Sequence, residues 1–270
     1  MDIVIAERGE AARLVADAVG ELVAAHPTAV FGLATGSSPL ALYGELASRR
    51  RSGDLPSVER TQAFALDEYL GLGAEDPQCY RSTLERIWAM PLGVPVEQVH
   101  VPTVTYDSVA TAGSDYEAQI RAAGGIDVQF AGIGGNGHLG FNEPGSSLTS
   151  RTRVKTLTEQ TRRDNSVFFE RPEQVPTHCI TQGLGTILES RHLVVLAFGA
   201  AKAAALAAAV EGPLTSSVPA SVVQLHRSAT IIVDAAASAL LAHQDEYRWA
   251  WERRLGGQKL SFSSTTAFAG

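Results

Sequence analysis

The segment IDVQFAGIGGNGHLGFNEP, residues 126–144, combines titratable and amide side chains with an unusual density of glycine. An apolar run typical of a β-strand leads into a turn with five glycines, and this turn presents Asn136, His138, Asn142 and Glu143. Glycine allows positive φ angles and a close approach between backbone and ligand, which a simple connection rarely needs so often. This loop is therefore the first candidate for an active site.

His138 and Glu143 lie close enough in this loop for one side chain to fold against the other. A carboxylate that accepts the imidazole N–H fixes the tautomer of the ring and raises its basicity, which produces a proton-transfer pair. The alternative is a histidine held for structural reasons, but the surrounding glycines leave little packing that would require one. The pair is interpreted as functional, because titratable groups with shifted pKa values cluster at active sites.

Asp67 and Glu68 follow an apolar run, residues 62–66, that predicts a buried strand. A carboxylate that faces a pocket at such a position can have its pKa moved towards values useful for a general base. The alternative is an aspartate that caps the N-terminus of a following helix. Asp67 is the candidate base.

A second turn, residues 35–39, joins a strand to a helix through Gly36, Ser37 and Ser38. Free backbone N–H groups at a helix N-terminus, together with two hydroxyl groups, can hold a phosphate. The alternative is an ordinary helix start that is capped by serine, with a proline in its first turn. Lys202 opens an alanine-rich helix after another strand, where it either reaches an anion or lies in solvent. Its position alone does not decide between the two.

The spacing Gly132-x-Gly134-x-x-Gly137 also matches the dinucleotide-binding fingerprint, which requires a following helix and an acidic residue about twenty positions further on. Here the loop continues to Pro144, and the next strand-like stretch, RTRVKT, is basic. This context excludes a nicotinamide cofactor. The remaining histidines show no metal-ligand spacing, so no metal and no cofactor are expected.

These side chains must be positioned by strands and helices. Short apolar runs predict strands at residues 2–6, 28–35, 62–66, near His100, 126–133, 151–156, 177–181, 192–198 and 230–233. Helical periodicity predicts helices at residues 9–25, after Pro39, 80–88, 109–123, 159–169, 183–188 and 200–210. The helix at 159–169 is polar, which is typical of a surface lid, and the lid is predicted over about residues 157–177.

The near-continuous alternation of strands and helices favours an α/β fold of the doubly wound type. This fold has a mostly parallel sheet with helices on both faces, is Rossmann-like, and is expected to take up residues 1–270 as a single domain. Ligands in such folds bind at the carboxyl ends of the strands. The three chemically active turns all fall at these ends, so they are expected to converge on one site.

The chain has 270 residues, of which 45% are hydrophobic, and a formal charge of −7. This charge argues against a nucleic-acid or anionic-membrane partner, but a local basic pocket for an anionic metabolite is compatible with it. The N-terminus has no secretion signal and no stretch is apolar enough to span a bilayer, so the cytoplasm is the expected location. Cys79 and Cys179 lack redox or metal spacing, which fits a reducing compartment.

The chain resembles the glucosamine-6-phosphate deaminase family, also called glucosamine-6-phosphate isomerase. The matching segments run in the same order from about Leu33 to His226: LATGSSPLALY, FALDEYLGL, GIGGNGHLGFNEPGSSLTSRTRVKTLT, ITQGLGTIL, GAAKAAAL and VEGPLTSSVPASVVQLH. The resemblance implies an enzyme of amino sugar and N-acetylglucosamine breakdown that converts glucosamine 6-phosphate to fructose 6-phosphate and ammonia. It would be a hydrolase acting on a C–N bond with isomerisation, and neither a metal nor a redox cofactor is implied.

The resemblance also implies residue roles. Asp67 would be the base that moves a proton between C2 and C1. His138 would assist opening of the pyranose ring, with Glu143 orienting and charging the imidazole and Asn136 completing the group. The substrate-binding positions of the family fall at Gly36, Ser37, Ser38 and Lys202 for the phosphate, and at Gly132 and Gly140 for the walls of the sugar pocket.

Two positions depart from the family pattern. Some members have aspartate at the position of Asn136 and others have asparagine, so a changed role in proton relay is expected. Where members typically read NSRFF, this chain reads NSVFF, so Val167 replaces the lid arginine expected to clamp the phosphate. Arg163, one helical turn earlier, is predicted to take over this contact. Without compensation, a raised Michaelis constant or a different amino sugar phosphate is expected.

Three other functions stay open at the level of sequence. These are a deaminase of another amino sugar phosphate such as galactosamine 6-phosphate, a 6-phosphogluconolactonase-like hydrolase, and a non-catalytic sugar-phosphate sensor. The lactonase has no evident need for Asp67 as a C2 base. The expected partner is a small amino sugar phosphate, and association into a homo-oligomer is compatible with the sequence. In some members an allosteric phosphate site between subunits occupies the positions of Ser146, Ser147, Arg153 and Lys155.

Overall fold

The computed structural model describes residues 1–73, 75–103, 105 and 107–262. The strands are β1 (Asp2–Ile5), β2 (Val30–Leu33), β3 (Gln62–Ala65), β4 (Asp67–Tyr69), β5 (Val99–His100), β6 (Val128–Gly132), β7 (Arg153–Thr156), β8 (His178–Thr181), β9 (His192–Ala197) and β10 (Ala229–Val233). The helices are α1 (Arg8–Ala25), α2 (Leu40–Ser52), α3 (Tyr80–Leu84), α4 (Met90–Leu92), α5 (Ala112–Ala122), α6 (Glu159–Asn165), α7 (Leu184–Leu188), α8 (Ala203–Val210), α9 (Ala235–Ser238) and α10 (Gln244–Glu252). A π-helical turn covers Glu85–Ala89, and 3₁₀ turns cover Val96–Gln98, Ser166–Phe168, Pro172–Gln174, Ala200–Lys202 and Pro219–Leu225.

Among the described residues, seven strands form one sheet in the order β1-β10-β9-β6-β2-β3-β5, and every neighbouring pair is parallel. From β2 the chain builds outward through β3 and β5, then returns to place β6, β9 and β10 on the other side. The strand order therefore reverses between β2 and β6. This arrangement confirms the predicted doubly wound, mostly parallel fold, and a ligand crevice is expected outside the carboxyl ends of these two strands.

Helices cover both faces of this sheet. Consecutive residues of a strand point to opposite faces, so each strand packs against helices on both sides. In β9, Val194 and Leu196 pack in a hydrophobic cluster with residues of α1 and α2, whereas Leu193 and Val195 pack in a cluster with residues of α7 and α8. Close-packed interiors hold their side chains in single arrangements. The strand ends are thus rigid supports for the loops that follow them.

A second, three-stranded sheet has the order β4-β8-β7 and is antiparallel. The sequence placed Asp67 at the end of the third strand of the main sheet, but β3 ends at Ala65. The chain bends at Leu66, whose N–H donates to the carbonyl of Leu33 at 2.7 Å. Asp67 then begins β4 and pairs with Thr181 of β8. A continuous apolar run does not reveal that its residues belong to two sheets, so the step from β3 to β4 could not be predicted from the sequence.

The segment after residue 235 packs on the same domain. Helix α10 lies against β1, and the Arg254 guanidinium forms an ion pair with Asp2 at 2.7 Å. Trp251 is partly buried against the core, whereas Trp249 is 60% exposed. None of the helices in the described ranges has the length and apolar character needed to cross a membrane.

Candidate active site

A cavity of about 320 Å³ lies at the carboxyl ends of β2 and β6, where the strand order reverses. The three turns singled out in the sequence all contribute to its walls. The predicted site residues that line it are Gly36, Ser37, Ser38, Asp67, Gly132, His138, Gly140 and Lys202. Asn136 and Glu143 contact His138 without lining the cavity, and Arg163 lies outside it. The topology therefore brings most of the predicted site together.

Asp67 lines the cavity although the residue is only 6% exposed. Burial, assisted by the charge of the neighbouring Glu68, raises the pKa of the Asp67 carboxyl to about 8. A carboxylate with a raised pKa is a stronger base than an ordinary aspartate and suits proton abstraction near neutral pH. Because the residue belongs to a strand, the alternative that it caps a helix does not hold.

Glu68 links two backbone segments beside the site. Its carboxylate accepts hydrogen bonds from the backbone N–H groups of Tyr69, Tyr80 and Arg81, at 2.8, 2.9 and 3.0 Å. These bonds join β4 to the start of α3. Burial raises the pKa of Glu68, while the three N–H groups oppose the rise. The two adjacent carboxylates thus have separate surroundings: Asp67 faces the cavity and Glu68 faces backbone donors.

His138 is fixed by a tight turn of the glycine-rich loop. The Asn136 side-chain oxygen accepts the backbone N–H of His138 at 3.1 Å, and the backbone N–H of Gly134 donates to the His138 carbonyl at 2.9 Å. Gly137, inside this turn, has φ of +82°, a conformation that favours glycine. The turn leaves the imidazole in the wall of the cavity.

Glu143 is a buried carboxylate with its own set of donors. Asn136 Nδ2 donates to Oε2 at 2.9 Å, and Thr158 donates to Oε1 from its hydroxyl at 3.1 Å and its N–H at 3.3 Å. Burial alone would raise the pKa of Glu143, but hydrogen bonds from Thr161 and Asn136, with the charge of His138, lower it overall. Glu143 therefore stays ionised behind the imidazole.

The expected hydrogen bond between His138 and Glu143 is not present in this structure. Nδ1 lies 3.7 Å from the Glu143 Oε2 atom, too far for a hydrogen bond, and has no hydrogen-bond partner among the described residues. The charge of Glu143 raises the pKa of His138, as expected, but the net shift is downward. Burial lowers the pKa of His138 more than the Glu143 charge raises it. The imidazole is therefore neutral at pH 7 and can take up or give a proton.

The turn after β2 supplies an uncapped helix start. Helix α2 begins after Pro39, and no side chain forms a capping hydrogen bond there, so the serine-cap alternative does not hold. Gly36 and Ser37 are exposed and Ser38 is half-buried. Lys202, in the 3₁₀ turn before α8, lines the same cavity. Burial lowers the pKa of Lys202, and the charge of Asp164 opposes this lowering. Backbone dipole, hydroxyls and ammonium together form a site suited to a phosphate.

The predicted lid is hydrogen-bonded to Glu143 of the glycine-rich loop and to Tyr69 of β4. The Thr158 hydroxyl caps α6 by accepting the N–H of Thr161 at 3.2 Å, and it also donates to Glu143. At the other end of α6, Asn165 Nδ2 donates to the Tyr69 hydroxyl at 2.8 Å. A movement of this segment that displaces Thr158 would therefore change the hydrogen bonds to the Glu143 carboxylate.

Arg163 does not reach the cavity, contrary to the sequence prediction. Its guanidinium contacts Glu159 at 3.4 Å and Gln160 at 3.2 Å, and its side chain is 64% exposed. Val167 lines the cavity instead. The prediction assumed one continuous α-helix, but α6 ends two residues before Val167 and gives way to a tighter 3₁₀ turn. The change of twist moves residues 163 and 167 onto different faces.

Sequence reasoning missed several residues of the cavity wall, namely Tyr80, Phe141, Asp164, Asn165 and Phe168. It also missed Thr158, although threonine before a polar helix is a recognisable N-cap signal. The others come from elements whose position over the cavity depends on the fold. In the part of the chain that the structure describes, no three His, Cys, Asp or Glu side chains are arranged to hold a metal ion.

Residues 7–232 match the model of a family described as glucosamine-6-phosphate isomerases/6-phosphogluconolactonase. The chain belongs to this family. The glucosamine-6-phosphate deaminase of Bifidobacterium longum subsp. infantis is 51% identical over 261 residues, covering 93% of this chain and 96% of that protein. The glucosamine-6-phosphate deaminase of Rhodococcus jostii is 51% identical over 255 residues, covering 94% and 98%. These matches confirm the resemblance found in the sequence.

Solved structures of the family share the fold. A monomeric glucosamine-6-phosphate deaminase superposes with a TM-score of 0.83 at 34% identity, covering 89% of this chain and all of that one (100%). A 6-phosphogluconolactonase from Trypanosoma cruzi superposes with a TM-score of 0.70 at 18% identity, covering 89% and 97%. At that lower identity the second likeness is one of fold alone.

Proposed function

We propose that the protein is a glucosamine-6-phosphate deaminase. It would convert glucosamine 6-phosphate and one water to fructose 6-phosphate and ammonia, so the net change is hydrolysis of a C–N bond with isomerisation. The observation that carries the proposal is the buried Asp67 carboxyl, with its raised pKa, in one cavity with His138 and a phosphate-type helix start. The deaminases that are about half identical over most of the chain support it.

In this proposal the phosphate binds at the turn of Gly36, Ser37 and Ser38 with Lys202, and the sugar lies between Gly132 and Gly140. The sugar chain then extends from the phosphate end towards Asp67. A base placed in this way at the reacting carbon converts a bimolecular proton transfer into an intramolecular one. The segment over about residues 157–177 serves as the lid.

Chemistry begins with opening of the pyranose ring. His138, neutral at pH 7, moves the proton between the C1 hydroxyl and the ring oxygen, and Glu143 and Asn136 stabilise the imidazolium that forms transiently. The open chain carries an aldehyde at C1 and the amino group at C2. Asn136 thus acts through Glu143, to which it donates a hydrogen bond, rather than as a proton carrier of its own.

Asp67 then takes the C2 proton, giving an enolamine, and returns a proton to C1, which leaves an imine at C2. Water adds to this carbon and the C2–N bond breaks, releasing ammonia and leaving the ketone of fructose 6-phosphate. The C2 ammonium of the substrate lowers the pKa of the Asp67 carboxyl as it arrives, because an opposite charge favours the ionised form. Substrate binding thus activates the base.

The alternatives are less well supported. Hydrolysis of a lactone needs no base at C2, so it leaves the buried Asp67 unexplained. A sensor needs no group with a raised pKa at all. A deaminase of galactosamine 6-phosphate would use the same residues and differ in the configuration that it accepts at C4.

The test is an assay of ammonia and fructose 6-phosphate from glucosamine 6-phosphate, with galactosamine 6-phosphate, glucosamine and 6-phosphogluconolactone as parallel substrates. We expect the two products in equal amounts, and from glucosamine 6-phosphate with the highest kcat/KM. Turnover of the lactone alone would replace the proposal with a lactonase. Binding of the sugar phosphates without turnover would replace it with a sensor.

We further propose that the enzyme works in the cytoplasm, where its substrate class is formed. Association into a homo-oligomer stays a prediction from the sequence. Light scattering of the purified chain across a range of concentrations measures its mass and tests this point.

A further inference from the structure

The cavity contains a carboxylate that the proposed reaction does not use. Asp164, on helix α6 of the lid, lines the cavity together with Val167 and Lys202. Its side chain is exposed, and the Oδ1 atom accepts a hydrogen bond from Gln160 Nε2 at 2.7 Å. The carboxylate is therefore held in place by its own helix while it remains open to the ligand space.

This carboxylate changes the charge of a site that must accept a phosphate. Among the residues that line the cavity, all of which the structure describes, Lys202 is the permanent cation. The pKa of Asp67 is raised to about 8 and that of His138 is lowered, so both are largely neutral at pH 7. The charges of Lys202 and Asp164 then cancel. Without Asp164 the residues that line the cavity would carry one net positive charge, with the Glu143 carboxylate behind His138.

The influence of Asp164 falls at the phosphate end. Its negative charge raises the pKa of Lys202, against the lowering by burial, and it also raises that of His138. A phosphate dianion that approaches Lys202 therefore meets repulsion from the lid. Val167, the neighbouring lid residue in the wall, is apolar and adds no compensating charge.

We propose that Asp164 limits how tightly the cavity holds the phosphate group of its ligand. The inference depends on the proposed function only in naming a sugar phosphate as that ligand. Substrate and product both keep the phosphate, so a tighter grip on it would strengthen the binding of both. A weaker affinity for the phosphate lets fructose 6-phosphate dissociate faster.

The test is titration calorimetry of the full chain with inorganic phosphate, which requires no turnover. Asp164→Asn keeps the shape of the side chain and its contact to Gln160 while removing the charge. We expect it to bind phosphate roughly three- to tenfold more tightly at low salt, with the gain shrinking as salt screens the charge. Val167→Arg adds a cation at the same wall and is expected to tighten binding as well.

Glu159→Gln is the matched control. Glu159 is a carboxylate on the same helix, but it faces Arg163 and does not line the cavity. We expect no change in phosphate affinity for this variant. Unchanged or weaker binding by Asp164→Asn, an equal gain by Glu159→Gln, or no detectable binding by any form would overturn the inference. A gain without any deamination would leave it standing while the proposed function fails, because the two are measured separately.

Discussion

The imidazole of His138 lies directly against the backbone of Gly134. A Cβ added at residue 134 would lie 2.2 Å from Cε1, 2.3 Å from Nε2 and 2.4 Å from Nδ1 of the ring, closer than nonbonded atoms can approach. The neighbouring Gly135 is different, because a Cβ there would meet no atom within 4 Å. The observed position of the His138 ring thus requires glycine at residue 134 and does not require it at residue 135.

This contrast gives a matched pair of variants. Gly134→Ala must push the imidazole out of the cavity wall, so we expect kcat/KM to fall by about 10²-fold or more, which is the usual contribution of one proton-transfer group. Gly135→Ala should stay within a fewfold of the wild type. Steady-state kinetics measure both, and circular dichroism checks that both fold. Equal losses in the two variants would contradict the placement of His138.

The pH dependence of kcat/KM should report the raised pKa of Asp67. The base must be ionised to act, so activity of the free enzyme falls as pH drops below about 8, where the carboxyl becomes protonated. The charge of Glu68 contributes to this raised pKa, and Glu68→Gln should therefore move the acid limb to lower pH. A profile that is flat between pH 6 and 9, or a limb that moves upward in the variant, would argue against Asp67 as the base.

Asp67 should also weaken the fold as pH rises. Its folded-state pKa lies above its ordinary value of 3.8, so the contribution of this group to stability is complete below pH 4 and is lost as pH rises to about 8. Asp67→Asn lacks this loss. We expect the Tm difference between variant and wild type to grow in favour of the variant from pH 5 to pH 8, measured by thermal scanning. A constant difference would mean that the carboxyl has an ordinary pKa.

The Thr158 hydroxyl has two roles: it caps α6 by accepting the N–H of Thr161, and it donates a hydrogen bond to Glu143. Thr158→Val removes both the cap of α6 and the bond to Glu143, so we expect a loss of about 1 kcal/mol in stability and a lower kcat. Thr158→Ser keeps the hydroxyl and should restore both. Chemical unfolding and kinetics of the two variants measure this. A lowered kcat in the serine variant equal to that in the valine variant would exclude a role for the hydroxyl.

Much of the site was accessible from sequence because of the logic of parallel sheets. Asp67, His138 and Lys202 each follow a short apolar run, and strand ends of one sheet edge necessarily lie near each other. The order of elements was likewise visible in the alternation of apolar periods. What the pattern could not show was the antiparallel second sheet, because an antiparallel strand and a buried parallel strand can present the same short apolar run.

The sequence predictions that were wrong concern the contact between His138 and Glu143 and the helix face on which Arg163 lies. The five-residue separation between His138 and Glu143 predicted a hydrogen bond between them. In the structure, Glu143 Oε2, the oxygen nearest the imidazole, instead accepts a hydrogen bond from the Asn136 amide. Arg163 was placed by helical periodicity, which fails where the helix changes type. Asp164 sat in the predicted lid without a role, because the face it presents to the cavity depends on how the lid packs.

The central claim is that Asp67 is the base of a deaminase, and one comparison tests it most directly. Release of ammonia and fructose 6-phosphate from glucosamine 6-phosphate is measured for the wild type and for Asp67→Asn, with inorganic phosphate binding as proof that the variant keeps its cavity. We expect rapid release by the wild type and a loss of about 10³-fold or more in the variant, within the range of one general base. Turnover by the variant within about tenfold of the wild type would contradict it, because the only change is the loss of a carboxylate that can accept the C2 proton.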